Sequence, residues 1–181
     1  NAGNSIESGG NYNTVVGDEA GTALTTGDNN TFMGYAAGDA TTTGNSNIAI
    51  GRLALSTNTT GAENTAVGVN ALYLATTGTY NIAIGNSAGA AVTTGVQNTL
   101  IGGLAGDAIT TAGGNTALGY QAMSALTTGG GNTAVGHQSM ANGVVTGLHN
   151  TGLGDGSLLV LTSGAYNTGL GKDALAANTT A

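Results

Sequence analysis

Two histidines supply the only imidazoles of the chain, and imidazole is the side chain that most often binds metals or moves protons near neutral pH. Ser139 and Asp155 would complete a nominal serine–histidine–aspartate set with His137, while His149 stands apart from it. A metal site needs three or four convergent ligands, and a catalytic triad is defined by geometry rather than by chain spacing. We therefore predict that this set is fortuitous, and that both histidines are solvated surface residues.

The charged residues give no stronger indication of catalysis or of a cofactor. Nine acids stand against Arg52 and Lys172, for a net charge of −7, and the acids are scattered without a calcium-binding spacing. A carbohydrate-cleaving enzyme on a β-helix would need a carboxylate cluster that breaks the pattern of the chain. We expect no catalytic, cofactor-binding or metal site. The scarcity of lysine and arginine disfavours nucleic acid as a partner, and no apolar run predicts membrane insertion.

The chain is organised as a repeat. The unit is N-T-A-V-G-x-x-A-L-x-x-x-T-T-G-x-x, and successive units are 17 residues apart, with one step of 18 that we attribute to an insertion at Gly143. Residues 1–12 form a divergent N-terminal segment, and residues 13–181 form one domain of ten coils. The opening asparagines predict a ladder of stacked amides at a turn: Asn13, Asn30, Asn47, Asn64, Asn81, Asn98, Asn115, Asn132, Asn150 and Asn167.

The columns of the repeat predict strands rather than helices, because two glycines per unit would break any helix pair. In the segments 47–51 and 81–85, isoleucine alternates with alanine, as in a β-strand. We predict an all-β fold, a parallel β-solenoid or β-roll of about ten 17-residue coils. The fourth position is aliphatic or methionine in every unit and predicts the core column: Val16, Met33, Ile50, Val67, Ile84, Ile101, Leu118, Val135, Leu153 and Leu170.

The third position faces the opposite way, and its size is inversely related to that of the ninth. Where the ninth position is leucine or methionine, the third is only alanine or glycine. Such compensation indicates that the two positions share one packed space. We hypothesise that this space is a subunit interface in a homotrimer; a monomer whose second sheet covers the face is the alternative. The candidate interface residues are Val15, Phe32, Leu55, Leu72, Leu100, Met123, Met140, Leu158 and Leu175.

The unit, exemplified by residues 64–68 and 132–136, resembles the repeats of phage tail-fibre and bacterial surface proteins that often end in an endosialidase-type chaperone. More distantly, it is similar to the head repeats of trimeric autotransporter adhesins. The resemblance covers residues 13–181. It implies a trimeric left-handed β-roll in an extracellular or virion-surface fibre, with adhesion or spacing as the role and a cell-surface glycan or receptor as a candidate partner.

One other function remains open, and one group of side chains could serve the adhesive role. An ice-binding or water-ordering solenoid would use the paired threonines, although strand propensity also explains them: 25–26, 42–43, 59–60, 76–77, 93–94, 110–111, 127–128 and 179–180. Tyrosines at the turns, Tyr12, Tyr35, Tyr80, Tyr120 and Tyr166, could stack on sugars or could simply cover backbone edges. We predict a non-catalytic structural or adhesive fibre module, with the ice-binding solenoid as the alternative.

Overall fold

The computed structural model describes residues 2–4, 6, 10–143 and 146–180. Ten three-residue strands form a single parallel sheet in chain order, and the described residues contain no helix and no second sheet. The predicted parallel β-solenoid is confirmed. The strands are β1 Thr14–Val16, β2 Thr31–Met33, β3 Ile48–Ile50, β4 Thr65–Val67, β5 Ile82–Ile84, β6 Thr99–Ile101, β7 Thr116–Leu118, β8 Thr133–Val135, β9 Thr151–Leu153 and β10 Thr168–Leu170.

Successive coils stack in register. Each strand residue pairs with the same repeat position one coil later, as in Thr14 with Thr31 and Ile48 with Thr65. At a strand spacing of about 4.8 Å, ten strands extend about 43 Å along the axis. Turns and bends complete each coil, and they also bond to the next coil: the backbone N–H of Leu55 donates to the carbonyl of Ala71 at 2.9 Å. Every side of the coil therefore contributes to stacking.

The 18-residue coil keeps this register by absorbing its extra residue in one place. The hydroxyl of Ser124 donates to the carbonyl of Ala141, which lies 17 residues on, as the regular repeat requires. The side-chain amide of Asn132 donates to the carbonyl of Gly147, 15 residues on, whereas the equivalent separation in other coils is 14. The extra residue therefore lies between Ala141 and Gly147, the segment that contains the predicted insertion at Gly143.

The two faces of the sheet are the reverse of the prediction. Third-position side chains, such as Phe32 and Leu100, point into the coil and are fully buried. Fourth-position side chains point outward, and Val16 and Leu118 are 52% and 46% exposed. The prediction that the fourth-position column forms the core is wrong for Val16, Met33, Ile50, Val67, Ile84, Ile101, Leu118, Val135, Leu153 and Leu170. Alternation along a strand separates two faces but does not state which one is inside.

The residues assigned to a subunit interface lie within the chain instead. Phe32, Leu55, Leu72, Leu100, Met123, Met140 and Leu158 are fully buried in one continuous cluster, and Val15 packs against it. Leu175, on the last coil, is 46% exposed. The assignment is wrong because the turn segment of the same coil folds back over the third-position face. The eighth, ninth and twelfth positions of the unit cover it.

The inferred compensation of volume between the third and ninth positions is confirmed, and the structure shows which residues share the space. A large third-position side chain inserts between two ninth-position glycines, one in its own coil and one in the preceding coil. An ideal Cβ on Gly89 or on Gly106 would lie 2.7 Å from a methyl carbon of Leu100. Phe32 is placed in the same way between Gly21 and Gly38. This explains why Gly89 accompanies a small third residue in its own coil: it accommodates Leu100 of the next coil.

One interior column was not predicted from the sequence. The twelfth position is fully buried in Leu24, Val92, Ile109, Leu126 and Leu161. Its chemistry varies too much for a column of one type, because Thr41 and Asn58 occupy the same place and are equally buried. The only available signal was the absence of charged residues at this position in all ten coils.

Glycine at the fifth position is required for two reasons. These residues have φ between 114° and 140°, a region that side chains rarely adopt. They also lie against the next coil: an ideal Cβ on Gly34 would be 2.7 Å from the carbonyl oxygen of Gly51. The glycines therefore turn the chain after each strand and allow adjacent coils to approach closely.

We predict strong coupling between the ninth position and the third position of the next coil. Leu100→Ala alone should cost about 2–5 kcal/mol of unfolding free energy through a cavity. Gly89→Leu alone should cost about 1–3 kcal/mol through overpacking. The double variant should cost less than their sum by at least about 1 kcal/mol, measured by denaturant unfolding. Leu72 has the same left-handed conformation as Gly89, so leucine is compatible with the backbone there.

The matched control combines Leu100→Ala with Gly38→Leu. Gly38 lies against Phe32, in a coil far from Leu100. This pair should be additive. Equal coupling in both pairs would contradict the shared-space interpretation.

Candidate functional site

The opening asparagines form the predicted ladder. In each coil after the first, the asparagine backbone N–H donates to the Oδ1 of the preceding asparagine, at 2.8–3.1 Å. Its side-chain amide donates to the same Oδ1 at 3.0–3.3 Å. The eight members from Asn30 to Asn150 are fully buried. The ladder is a structural element and is closed to solvent.

Each ladder asparagine from Asn13 to Asn150 also closes its own coil. The side-chain amide of Asn81 donates to the carbonyl of Gly95, at the far end of the same coil, at 2.8 Å. Its Oδ1 accepts two bonds from Asn98, and its amide donates a second bond to Asn64. Two acceptor sites and two donors are the full capacity of the side chain. Replacement by any other residue type leaves buried polar groups without partners.

The strongest candidate for an external function is the outward face of the sheet, formed by the second and fourth positions of the unit. The fourth position supplies an aliphatic row along the whole length of the sheet, in which Leu153 and Leu170 are 44% and 72% exposed. The second position supplies isoleucine at 48 and 82 and a row of eight threonines: Thr14, Thr31, Thr65, Thr99, Thr116, Thr133, Thr151 and Thr168. None of these eight hydroxyls bonds to another described residue. No charged side chain stands at either position in any coil.

This outward face can take part in two kinds of interaction. Its aliphatic row gains free energy from any contact that removes it from water, at about 25 cal/mol per Å². Its hydroxyl row, in register at about 4.8 Å, can bond either to another surface or to ordered water. Because the aliphatic row was predicted to form the core, this surface was not predicted. Its one available signal was that both the second and the fourth positions lack charge.

The paired threonines do not form two equivalent rows. The first hydroxyl of a pair donates to the backbone carbonyl of the next coil, as in Thr42 to Thr59 at 3.1 Å and Thr76 to Thr93 at 3.2 Å. The second threonine is exposed in each described pair. The first row is therefore engaged in stacking, the second is the row exposed in every described pair, and the pairs lie on bends outside the sheet.

The nominal triad is not assembled. Ser139 is fully buried and its Oγ lies 2.8 Å from Oγ of Ser157, inside the coil. His137 is on the surface, where its Nδ1 lies 3.1 Å from Oδ1 of Asp155 and both side chains are about half exposed. His149 is also exposed, as predicted. Within the described residues, no group of three or more histidines and carboxylates could hold a metal ion.

Aromatic side chains form two short stacks beside the sheet. The ring centroids of Tyr120 and His137 are 5.9 Å apart, after β7 and β8. Those of His149 and Tyr166 are 5.3 Å apart, before β9 and β10. Tyr12 and Tyr80 stand alone at the position of Tyr166 and are exposed. Two of the predicted turn tyrosines thus have an aromatic neighbour on the next or the preceding coil.

Two carboxyl groups are partly buried on the turn side of the coil. Burial raises the pKa of Asp107 and is also the main cause that raises the pKa of Asp39, to which the charge of Glu19 adds. One carboxylate oxygen of each has no hydrogen-bond partner in the protein. A hydrogen bond to Glu19, together with nearby negative charge, raises the pKa of Tyr35.

The described surface has no enclosed pocket. None of the residues described forms a helix with the length and hydropathy of a membrane span. Comparisons with protein-family models, with curated proteins and with solved structures found no match to this chain.

We predict that Asn81→Ala destabilises the solenoid strongly. The change leaves the backbone N–H of Asn98 and the carbonyl of Gly95 without their side-chain partner, at about 1–3 kcal/mol for each group. The melting temperature measured by circular dichroism should fall by on the order of 10 °C. Asn86→Ala, an exposed asparagine outside the ladder, should melt close to the wild type. Equal effects of the two changes would contradict the role of the ladder.

We predict that ionisation of Asp107 lowers stability. Its folded-state pKa lies above the unfolded value, so its cost is absent below about pH 4, grows as the pH rises to the folded-state pKa and is constant above it. Melting temperatures measured from pH 4 to 7 should fall less in Asp107→Asn than in the wild type. Asp173→Asn, on the exposed last coil, is the control. Parallel curves for Asp107→Asn and the wild type would refute the prediction.

Proposed function

We propose that this chain is a non-catalytic structural and adhesive fibre module that assembles as a homotrimer through the outward face of the sheet. The observation that carries the proposal is the uncharged aliphatic row on the outward face, which is exposed in six of the ten coils and partly exposed in the other four. A soluble protein rarely leaves so long an apolar surface uncovered. The trimer inferred from sequence is retained, but its interface moves to the face opposite the one assigned there.

The area of the outward face is adequate for assembly. Its ten aliphatic side chains and eight threonines, all partly exposed, offer on the order of 1,000 Å² per chain, against roughly 800 Å² for each partner in a standard interface. Covering this surface would also supply partners for the threonine hydroxyls. A second copy of the chain presents the same aliphatic and threonine rows at the same axial spacing. It can therefore cover the aliphatic row and bond to the threonine hydroxyls coil by coil.

The charge distribution supports a second copy as the occupant. The eight acids among the described residues lie off the outward face, so identical chains can approach through it without placing like charges together. A closed assembly of identical chains is the usual form of soluble oligomers. The number of chains, three, is the number implied by the resemblance to trimeric fibre repeats.

The proposed setting is an extracellular or virion surface, where the fibre holds or forms a contact with a cell-surface glycan or receptor. Stacked coils provide length at constant cross-section, which suits a spacer or shaft. With Arg52 and Lys172 as the only basic residues, trypsin-like proteases find few cleavage sites. Both features are consistent with an exposed role.

A second candidate function is supported by the unbonded threonine hydroxyls of the outward face. A regular hydroxyl row beside an aliphatic row on one parallel sheet could order water, so an ice-binding solenoid would use this face rather than the paired threonines. The two candidates make opposite demands, because a face buried in a trimer cannot contact ice.

Solution mass separates these candidates. We predict that light scattering of residues 1–181 gives three times the 17.3 kDa of one chain. Val67→Asp combined with Ile84→Asp places charge in the aliphatic row and should give a folded monomer, because both side chains are already solvent-accessible. Thr77→Asp, on the exposed threonine row of another side, should remain a trimer.

A wild-type monomer would refute the assembly. Thermal hysteresis in such a monomer, lost in Val67→Asp, would instead establish ice binding. A Val67→Asp/Ile84→Asp protein that stayed trimeric would place the interface elsewhere.

A further inference from the structure

One corner of the solenoid has a break in an otherwise regular surface. The sixteenth and seventeenth positions of the unit form this corner, immediately before each strand. Its backbone is continuous: Gly114 N–H donates to Val96 O at 3.0 Å, Gly131 N–H to Gly113 O at 3.1 Å, and His149 N–H to Gly130 O at 3.1 Å. The corner is therefore ordered through the break, and what changes there is the side chains.

Two consecutive coils have no side chains at this corner. Gly113–Gly114 and Gly130–Gly131 occupy it, whereas neighbouring coils carry Val96 with Gln97 on one side and Leu148 with His149 on the other. We call this space the corner gap. At about 4.8 Å per coil it is about 10 Å long.

Gly113 has a packing reason to be glycine, because an ideal Cβ there would lie 2.7 Å from the carbonyl oxygen of Val96. The conformation of the backbone does not demand glycine at Gly114 or Gly131. The seventeenth position is left-handed in every coil, and Asn29, Ser46 and Gln97 occupy it at φ 56–59°. An ideal Cβ on Gly114 would approach only the backbone of Gly131, at 3.8 Å, so the space above Gly114 is open. At Gly131 the same atom would lie 2.6 Å from Nδ1 of His149. The imidazole therefore leans over Gly131 and forms one wall of the corner gap, whose open floor lies over Gly114.

The walls of the corner gap are apolar and aromatic. Val96 and Leu148 are 38% and 45% exposed. The imidazole of His149 is supported from behind by Tyr166, whose ring is stacked on it at 5.3 Å and is 78% exposed. No lysine, arginine or carboxylate occupies positions sixteen and seventeen from Val96 to Tyr166.

We propose that the corner gap binds a single neutral pyranose ring, which rests on the glycine backbone against the imidazole of His149. The apolar C–H face of a sugar packs on an aromatic ring, while its hydroxyls reach backbone groups and solvent. A preformed backbone floor lowers the ordering cost of binding. The absence of a cation in the gap and the net charge of −7 disfavour acidic sugars. This inference specifies the ligand class of the adhesive role proposed above and rests on it.

The two histidines make the experiment specific. Their two imidazole Cε1–H signals are followed by proton NMR while neutral methyl glycosides of glucose, galactose, mannose and N-acetylglucosamine are added to the intact chain. At least one glycoside should shift the His149 signal saturably, with a dissociation constant of roughly 1 mM. The His137 signal should not move, because His137 lies beyond the opposite end of the strands. N-acetylneuraminic acid should shift neither signal.

Matched variants test the location. Gly114→Gln fills the corner gap with the residue that Gln97 already places in the same column and conformation, and it should abolish the shift. Ser46→Gln makes the same change in a distant coil and should leave the shift intact. Circular dichroism confirms folding of both variants.

The proposal is overturned if no neutral glycoside shifts the His149 signal, or if Gly114→Gln retains the shift. It is also overturned if Gly114→Gln changes the assembled mass, because the corner would then be part of the interface. Light scattering of the same samples separates this result from the assembly. A trimer without a shift rejects the sugar site alone, and a monomer with a shift rejects the trimer alone.

Discussion

Closure of each coil by the asparagine ladder is the interaction on which the rest of the structure depends. One buried side chain joins the two ends of its own coil and bonds to the coils before and after it. Three-residue strands would not be stable as an isolated pair. Stacked ten times on a common ladder, they share one register, and that register aligns every other column of the repeat. The regular outward face and the continuous interior both follow from it.

The ladder also explains the composition of the interior. Coils of 17 residues enclose little space, so alanine dominates the third and eighth positions, and larger side chains are admitted only where glycine lies across from them. Leucine or methionine at the ninth position adopts a left-handed backbone in each case, a conformation that costs roughly 1 kcal/mol for a residue with a side chain. Burial of a large apolar group offsets that strain. The core is thus fitted coil by coil rather than by one consensus unit.

Repetition and irregularity have separate roles on the surface. The outward face is uniform over ten coils, which suits an interaction that is itself periodic, such as contact with identical chains. The corner gap, by contrast, occurs once, beside the 18-residue coil, and combines features that no other pair of coils has. The trimeric adhesive fibre proposed above would need surfaces of both kinds. Their separation on different sides of the coil would allow each to act without obstructing the other.

The period, the parallel solenoid, the asparagine ladder and the exchange of volume between the third and ninth positions were all determined by the sequence, because each is a regularity visible down a column. Which strand face is internal was decided only by tertiary structure. Alternation at period 2 is symmetric with respect to the two faces, and the path of the turns, which brings the twelfth position into the core, breaks that symmetry. For the same reason, the row Val16 to Leu170 became an external surface, and the meeting of His149 with Gly131 and Tyr166 could not be read from the chain.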